Sequence, residues 1–506
     1  MVSGTVVNSV TGEPIGHALV QVFGVAQRAV FTDSEGHFAM DGLPAGQTSF
    51  DVRKPGYFSR QQLGGRGVGD VVVVGPSTVV TLKLVPQGAM YGRITDAAGQ
   101  PIEYVPVRLA EQIVRDGRQH QEMRNTVESD EDGRFRLANL APGTYYVAAG
   151  PGQMEMRLVI RDEKPKTGYP MVYYPGVPDL ASATPIQLTA GQQAQADFSL
   201  ATVPVYHVSG TVGGFAADQG VLLQVLDPSG EQIQVPSQLH QDTGTFEINA
   251  IPAGSYVLKA SSQIGDQALR AQARLNVAAN LDNVQLALGP ALSIPVVAHM
   301  ESRDASNLSR PGWSQERPPV TVRLIPADRR LAPDLSPSFV RTGPGHDVMV
   351  LADVEPGKYT ADITAWGPWY VQSAEYGPTN LLADDLTAAP GQANPIEIVL
   401  RDDGATLTGT VKSADKIADS ATVLAVPQPF SRRHAVMVPF FSAQGFTMHG
   451  LAPGEYLVFA FDHADRIEYA NPDALQPYAS QATHVTLSAG QETQIALSLI
   501  RTGEGD

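Results

Sequence analysis

One short pattern recurs five times along this chain, and its spacing restricts the fold more than any other feature. An apolar anchor, a second anchor five residues later and a glycine three beyond read Phe38/Leu43/Gly46, Phe135/Leu140/Gly143, Phe246/Ile251/Gly254, Met349/Val354/Gly357 and Phe446/Leu451/Gly454. The glycines stand 97, 111, 103 and 97 residues apart. One large core has no reason to repeat at the length of a small domain, whereas tandem modules must. The 506 residues therefore divide into five, not the three that about 150 residues per domain would give.

The last copy, Phe446 to Tyr456, shows the local physics. Alternation around Phe446 and Met448 suits a strand with one buried face. Pro453 sets φ at the first position of a turn, Gly454 is expected to take the positive φ that other residues resist, and Tyr456-Leu457-Val458-Phe459 resumes a strand. The chain holds 48 glycines and 38 prolines, above the usual combined share of about 12%, as many short strands joined by turns require.

With this phase fixed, each module can be followed. Module one (1–86) passes through Gly4-Thr5-Val6, the turn Gly12-Glu13-Pro14-Ile15, Ala18-Leu19-Val20, Thr32-Asp33-Ser34-Glu35-Gly36-His37-Phe38 and Gly42-Leu43-Pro44-Ala45-Gly46. That order resembles the bacterial carboxypeptidase regulatory-like domain, which is similar to transthyretin. The resemblance implies a seven-stranded Greek-key β-sandwich and a non-catalytic, exported module. Module two (87–201) repeats the scheme, with Asp130-Glu131-Asp132-Gly133-Arg134-Phe135 close to the family turn, and so does module five (403–506). Those two also share a second stretch, Ala190-Gly191-Gln192 and Ala489-Gly490-Gln491, ahead of the last strand. Modules three (202–289) and four (290–402) diverge; four lacks the opening glycine and expands its first loop into Glu301 to Pro319. The expected fold is all-β, five tandem sandwiches, and prolines in three of the four short linkers predict an extended or bent rod.

Several function classes are excluded. A net charge of −17 argues against general affinity for nucleic acid or anionic membrane. No window of eighteen apolar residues predicts a transmembrane segment. Absence of cysteine removes disulfides, thiolate metal sites and thiol nucleophiles, and is compatible with export. The chain opens directly in the strand Val2 to Val7; for an exported protein this predicts a leader removed ahead of Val2, with Met1 an added start.

Motifs of chemistry are weak. Glu128, Asp130 and Asp132 before Gly133 imitate the start of a calcium loop, but its twelfth position is Asn139, and a solvated turn is the expected reading. The eleven histidines form neither His-Glu-x-x-His nor His-x-x-Glu, so no zinc site or peptidase activity is expected. Ser413-Ala414-Asp415-Lys416 matches Ser-x-x-Lys in letters only. Lys412 is the one lysine of a first strand, and Ile495 to Ile500 offers no Asn or Asp for an isopeptide bond. The tyrosines after the turn, Tyr145, Tyr256, Tyr359 and Tyr456, recur too regularly for a ligand site; rings in the core and hydroxyls on nearby backbone explain them, with Thr48 in that place in module one.

One feature breaks the repetition. All three tryptophans, Trp313, Trp366 and Trp369, lie in module four, with Tyr370 beside the last. Aromatic rings on loops stack on sugars or protein partners; packed together, or against a neighbouring module, they only stiffen a divergent domain. Trp313, Trp366, Trp369 and Tyr370 are the candidate surface. The expected function is that of a non-enzymatic, exported cell-envelope spacer or binding scaffold without cofactor or metal, its partner a glycan or an envelope protein. The alternative is a carbohydrate-binding protein.

Overall fold

The computed structural model describes residues 1–502 apart from 23–27, 64–69, 76, 116, 151–166, 217–218, 228–231, 234, 266, 304–317, 328–337, 344–345, 390–393, 415, 419, 430–435, 442–444, 463 and 465–466. It is nearly all β and made of tandem sandwich modules. The chain forms two compact units, Met1–Gln112 with Gln121–Pro204, and Ile113–His120 with Val205–Asp506.

The same wiring recurs in every module. An opening strand pairs antiparallel with the strand that carries the first anchor and parallel with the closing strand. In module one these are Val2–Asn8, His37–Met40 and Thr78–Pro86; in module five, Ala405–Ser413, Phe446–Leu451 and Glu492–Ile500. The facing sheet is built on the strand after the turn, which begins at the repeated glycine each time: Gly46–Arg53, Gly143–Ala149, Gly254–Ile264, Gly357–Ala365 and Gly454–Phe461. Between the sheets, each module keeps a core drawn from its own stretch of chain, such as Val2 to Leu84 in the first and Ile294 to Leu400 in the fourth.

A cross-strand pair explains the opening Gly-Thr-Val. Gly4, Gly92, Gly210 and Gly409 lie directly opposite the anchors Phe38, Phe135, Phe246 and Phe446. A Cβ added to them would stand 1.9–2.3 Å from a carbonyl oxygen of the closing strand or its approach, and 2.8–2.9 Å from the facing phenylalanine ring. The ring covers the place where a side chain is missing, so glycine and phenylalanine are one packing unit. In module four both members change: Val296 faces Met349.

The repeated glycine takes the expected positive φ in three modules, Gly46 at 122°, Gly254 at 159° and Gly454 at 155°. Gly143 and Gly357 do not, and in every module a second residue is left-handed. This second residue comes four positions earlier: Gly42, Asn139, Ala250, Asp353 and Gly450, with φ between 56° and 75°. In modules two to five it lies in a β-bulge, where two residues of the anchor strand oppose one of the opening strand. An extra residue lengthens the path on one of the two strands only, so that strand must bend there, and the bend aims the chain at the facing sheet.

Module five carries a second core. Leu457-Val458-Phe459-Ala460-Phe461 is apolar on both faces, and Phe459 and Phe461 pack away from the main core with Leu424, Ile467 and Leu475. The short helix Pro472–Leu475, capped by the Asn471 carboxamide on the Asp473 amide, covers this face, and Tyr478 meets Phe461 edge-on at 5.2 Å.

Candidate functional site

The aromatic stretch of module four lies between the strands Gly357–Ala365 and Tyr370–Tyr376. Gly367, at φ 73°, turns the chain between Trp366 and Trp369, so the two indoles leave it in different directions. Trp366 is 44% exposed, and its amide donates to the Pro319 carbonyl at 3.1 Å. Trp369 is 2% exposed and packs in the module's core with Val371 and Leu400. Its indole Nε1 is buried without a hydrogen-bond partner. Tyr370 is buried as well. Trp313 lies outside the described residues.

Trp369 and Tyr370 therefore form no stacking platform: strand alternation puts Trp369 in the core with Val371, and Tyr370 on the opposite face, where Gly404 and Asp403 cover it. Of the four candidates, Trp366 is the one with a described, exposed ring.

Tyr370 instead marks a charge cluster at the joint to module five. Its hydroxyl donates to Oδ1 of Asp403 at 3.0 Å. Arg401 grips the same carboxylate with Nε to Oδ1 at 3.1 Å and Nη2 to Oδ2 at 2.6 Å, and Arg303 Nη2 reaches Oδ2 at 3.0 Å. The Asp403 side chain is only 3% exposed. The Arg401 hydrogen bond holds its carboxyl below the usual carboxylate range, against burial, with Tyr370 and Arg303 helping. Tyr370 is pushed up to about 12, by burial first and by its bond to Asp403 second. Sequence reading missed this cluster, because Asp402-Asp403-Gly404 looks like an ordinary polar linker. The available signal was an aspartate repeated just after the arginine that ends a closing strand.

The calcium-like loop of module two is occupied by its own backbone. Asp130 Oδ1 accepts from the amides of Asp132 at 3.0 Å and Arg134 at 2.7 Å, while Asp132 pairs with Arg134 Nη1 at 2.6 Å. Asp33 does the same for Glu35 and His37 in module one, so the carboxylate at this place closes a hairpin. Asn139, the loop's twelfth residue, is the left-handed bulge residue. No group of three metal-ligating side chains occurs among the described residues.

Three corner tyrosines have one geometry. Tyr145, Tyr359 and Tyr456 each donate a 2.8 Å hydrogen bond to the carbonyl four residues back, of Ala141, Glu355 and Ala452. Burial raises all three phenols, Tyr359 to about 12 with help from Glu355. Tyr256 is half-buried, and Thr48 is buried in its place in module one.

One arrangement imitates a catalytic triad. Asp282 Oδ1 lies 2.9 Å from Ser209 Oγ and 3.0 Å from His207 Nε2. A triad needs the imidazole between carboxylate and nucleophile to take the proton. Here the carboxylate sits in the middle, and Ser209 gains no base. Lys412 lies in register with Ser498 of the closing strand.

Comparison with known proteins begins at the same end of the chain as the sequence resemblance. Residues 1–85 and 89–201 each match the model of the carboxypeptidase regulatory-like domain. The first two modules are thus similar to the carboxypeptidase regulatory-like domain. In them the Gly4–Phe38 and Gly92–Phe135 pairs and the Asp33 and Asp130 turns are the recurring framework. No curated protein matches the chain. Solved structures that align with it include the Bacillus anthracis TIE protein, at 13% identity over 57% of this chain with a TM-score of 0.19; the chain spans 50% of that protein's length. The minor pilin of Streptococcus agalactiae aligns at 14% identity over 40% of this chain and 96% of its own, with a TM-score of 0.24. The shaft pilin of Lactobacillus rhamnosus GG aligns at 12% identity over 42% and 98%, with a TM-score of 0.20.

Proposed function

We propose that this protein is a non-enzymatic, exported scaffold of the bacterial cell envelope, built of five sandwich modules that meet near residues 86, 201, 289 and 402. The observation that carries this reading is the use to which the recurring polar side chains are put. Asp33 and Asp130 close hairpins, Tyr145, Tyr359 and Tyr456 bond to backbone, and Asp403 fastens a linker. Side chains spent on the frame are unavailable for chemistry on a substrate. The regulatory-like domains at the N-terminal end support the same reading, since the family they resemble is an accessory, non-catalytic one. No helix among the described residues is long and apolar enough to cross a membrane. The test is fractionation of cells expressing the native gene, with protease added to intact cells: recovery in the envelope or medium supports the reading, and recovery only in the cytoplasm overturns it.

A second reading, carbohydrate binding, rests on Trp366, whose exposed ring stands on a backbone tied to Pro319. It predicts that Trp366→Ala abolishes glycan-array signals with an unchanged melting temperature. An array without signal for the parent protein removes it.

A further inference from the structure

Two joints of the second unit are made at the same place. At the joint of modules three and four, Lys259 Nζ meets Glu355 at 3.1 Å and Arg270 Nη2 meets Asp353 at 3.7 Å. Asp353 is the left-handed bulge residue of module four, and Glu355 follows in its turn. At the joint of modules four and five the bulge residue is Gly450. A Cβ there would stand 3.3 Å from the Trp369 carbonyl oxygen and 4.0 Å from that of Gly367. In both cases the preceding module touches the following one at the bulge ahead of its turn.

The second joint has an additional tie through the linker. Asp402 Oδ1 accepts from the Arg303 amide at 3.0 Å, and its Oδ2 accepts from Ser302 Oγ. The side chain of Asp403 is held by Tyr370, Arg401 and Arg303, all of module four, whereas its carbonyl accepts from the Gly490 amide of module five at 2.8 Å. Gly404 then lies against Gly450, where a Cβ would come within 2.7 Å of the Gly450 Cα and 3.2 Å of the Tyr370 ring.

We propose that Asp403 is the latch of a locked joint: one residue bonded by its side chain to module four and by its backbone to module five, so that the two move as one body. Modules joined through a short linker swivel by default unless the interface holds them. Three donors converge on a carboxylate sheltered from water, and removing it leaves the Arg401 and Arg303 guanidiniums and the Tyr370 hydroxyl without their common acceptor. The remaining charges around it are Asp402 on the linker and Glu301, 3.9 Å from Arg401. Because Arg401 holds the Asp403 carboxyl low, the latch stays closed throughout the neutral range and opens only below the usual carboxylate range. Burial also protects it from screening by salt.

The chain's lack of cysteine allows a pair of spin labels to be placed without background, at Glu375→Cys in module four and Gln494→Cys in module five, both exposed. The full-length parent should give a single narrow distance distribution, unchanged at 1 M salt. Asp403→Ala should broaden it at least twofold, and Tyr370→Phe, which deletes one hydroxyl, should broaden it less. Hydrogen exchange over residues 405–500 checks that module five stays folded. If Asp403→Ala does not fold, Tyr370→Phe decides alone. A broad distribution for the parent, or a narrow one for the deciding variant, overturns the latch.

Discussion

Modules four and five solve the same packing problem with opposite distributions of volume. In module five Gly409 lies under Phe446; in module four Val296 lies under Met349. Where the opening strand has no side chain, the anchor must be a wide flat ring; where it has a branched one, the anchor narrows to a flexible thioether that fits around it. Both members of the pair change together, while the register between them stays the same. This is why the fourth copy of the repeat looked irregular as text, with methionine for phenylalanine and no opening glycine, yet occupies the same register in space.

The sharpest way to break this comparison is to put the module-four residue into module five. Gly409→Val places a Cβ 2.2 Å from the Ile495 carbonyl and 2.8 Å from Phe446, so one of the two must move. We expect a loss of more than about 4 kcal/mol, among the larger effects of a single substitution. Because a chain of several modules does not unfold in two states, the measurement is hydrogen exchange resolved over residues 405–500. The double variant with Phe446→Met distinguishes the causes: partial recovery assigns the clash to the ring, and none assigns it to the closing-strand carbonyl.

Deleting the anchors compares the two solutions from the other side. Phe446→Ala empties the space over a glycine that has nothing to fill it with, and should cost about 3–5 kcal/mol. Met349→Ala leaves Val296 in place, and the expected loss falls toward about 2 kcal/mol. Equal losses from the two would show that the pairs are not equivalent packing units.

What the sequence made legible was whatever the repeat made redundant. The sandwich fold, the strand that starts at each repeated glycine and the corner role of the tyrosines all followed from five aligned copies. The second left-handed position, four residues before the repeated glycine, was not read at all. Its occupants, Gly42, Asn139, Ala250, Asp353 and Gly450, share a backbone angle and no chemistry, so no residue pattern announces them. The module-four aromatics were legible as an exception but not as an orientation: whether Trp369 or Trp366 points inward depends on the turn at Gly367. Asp403 was invisible for a related reason. A linker carboxylate becomes a latch only when Arg303, a hundred residues earlier in the chain, is brought beside it.

The corner tyrosine is common to both modules and should respond alike in both. Tyr359→Phe and Tyr456→Phe each remove one 2.8 Å hydrogen bond to a carbonyl while leaving the ring, a loss of about 1 kcal/mol. Their pH dependence follows from the same burial. Tyr359 is raised from its ordinary value of 10.0 to about 12, so its contribution is complete below pH 10 and is lost as pH rises toward 12. The Phe variant of module four should therefore lose less protection over that interval than the parent does.

The smallest expected effect separates the bulges. Gly450 and Asp353 occupy the same left-handed position, but one is glycine beside a neighbouring backbone and the other carries a side chain paired with Arg270. Gly450→Ala should cost about 1 kcal/mol, since alanine pays for the left-handed angle and its methyl meets the Trp369 carbonyl at 3.3 Å. Asp353→Gly relieves the same strain and gives up a half-exposed ion pair, two terms of about half a kcal/mol and opposite sign. A clear loss on Gly450→Ala with none on Asp353→Gly would place the constraint in the neighbouring module's backbone. Equal losses would place it in the bulge alone.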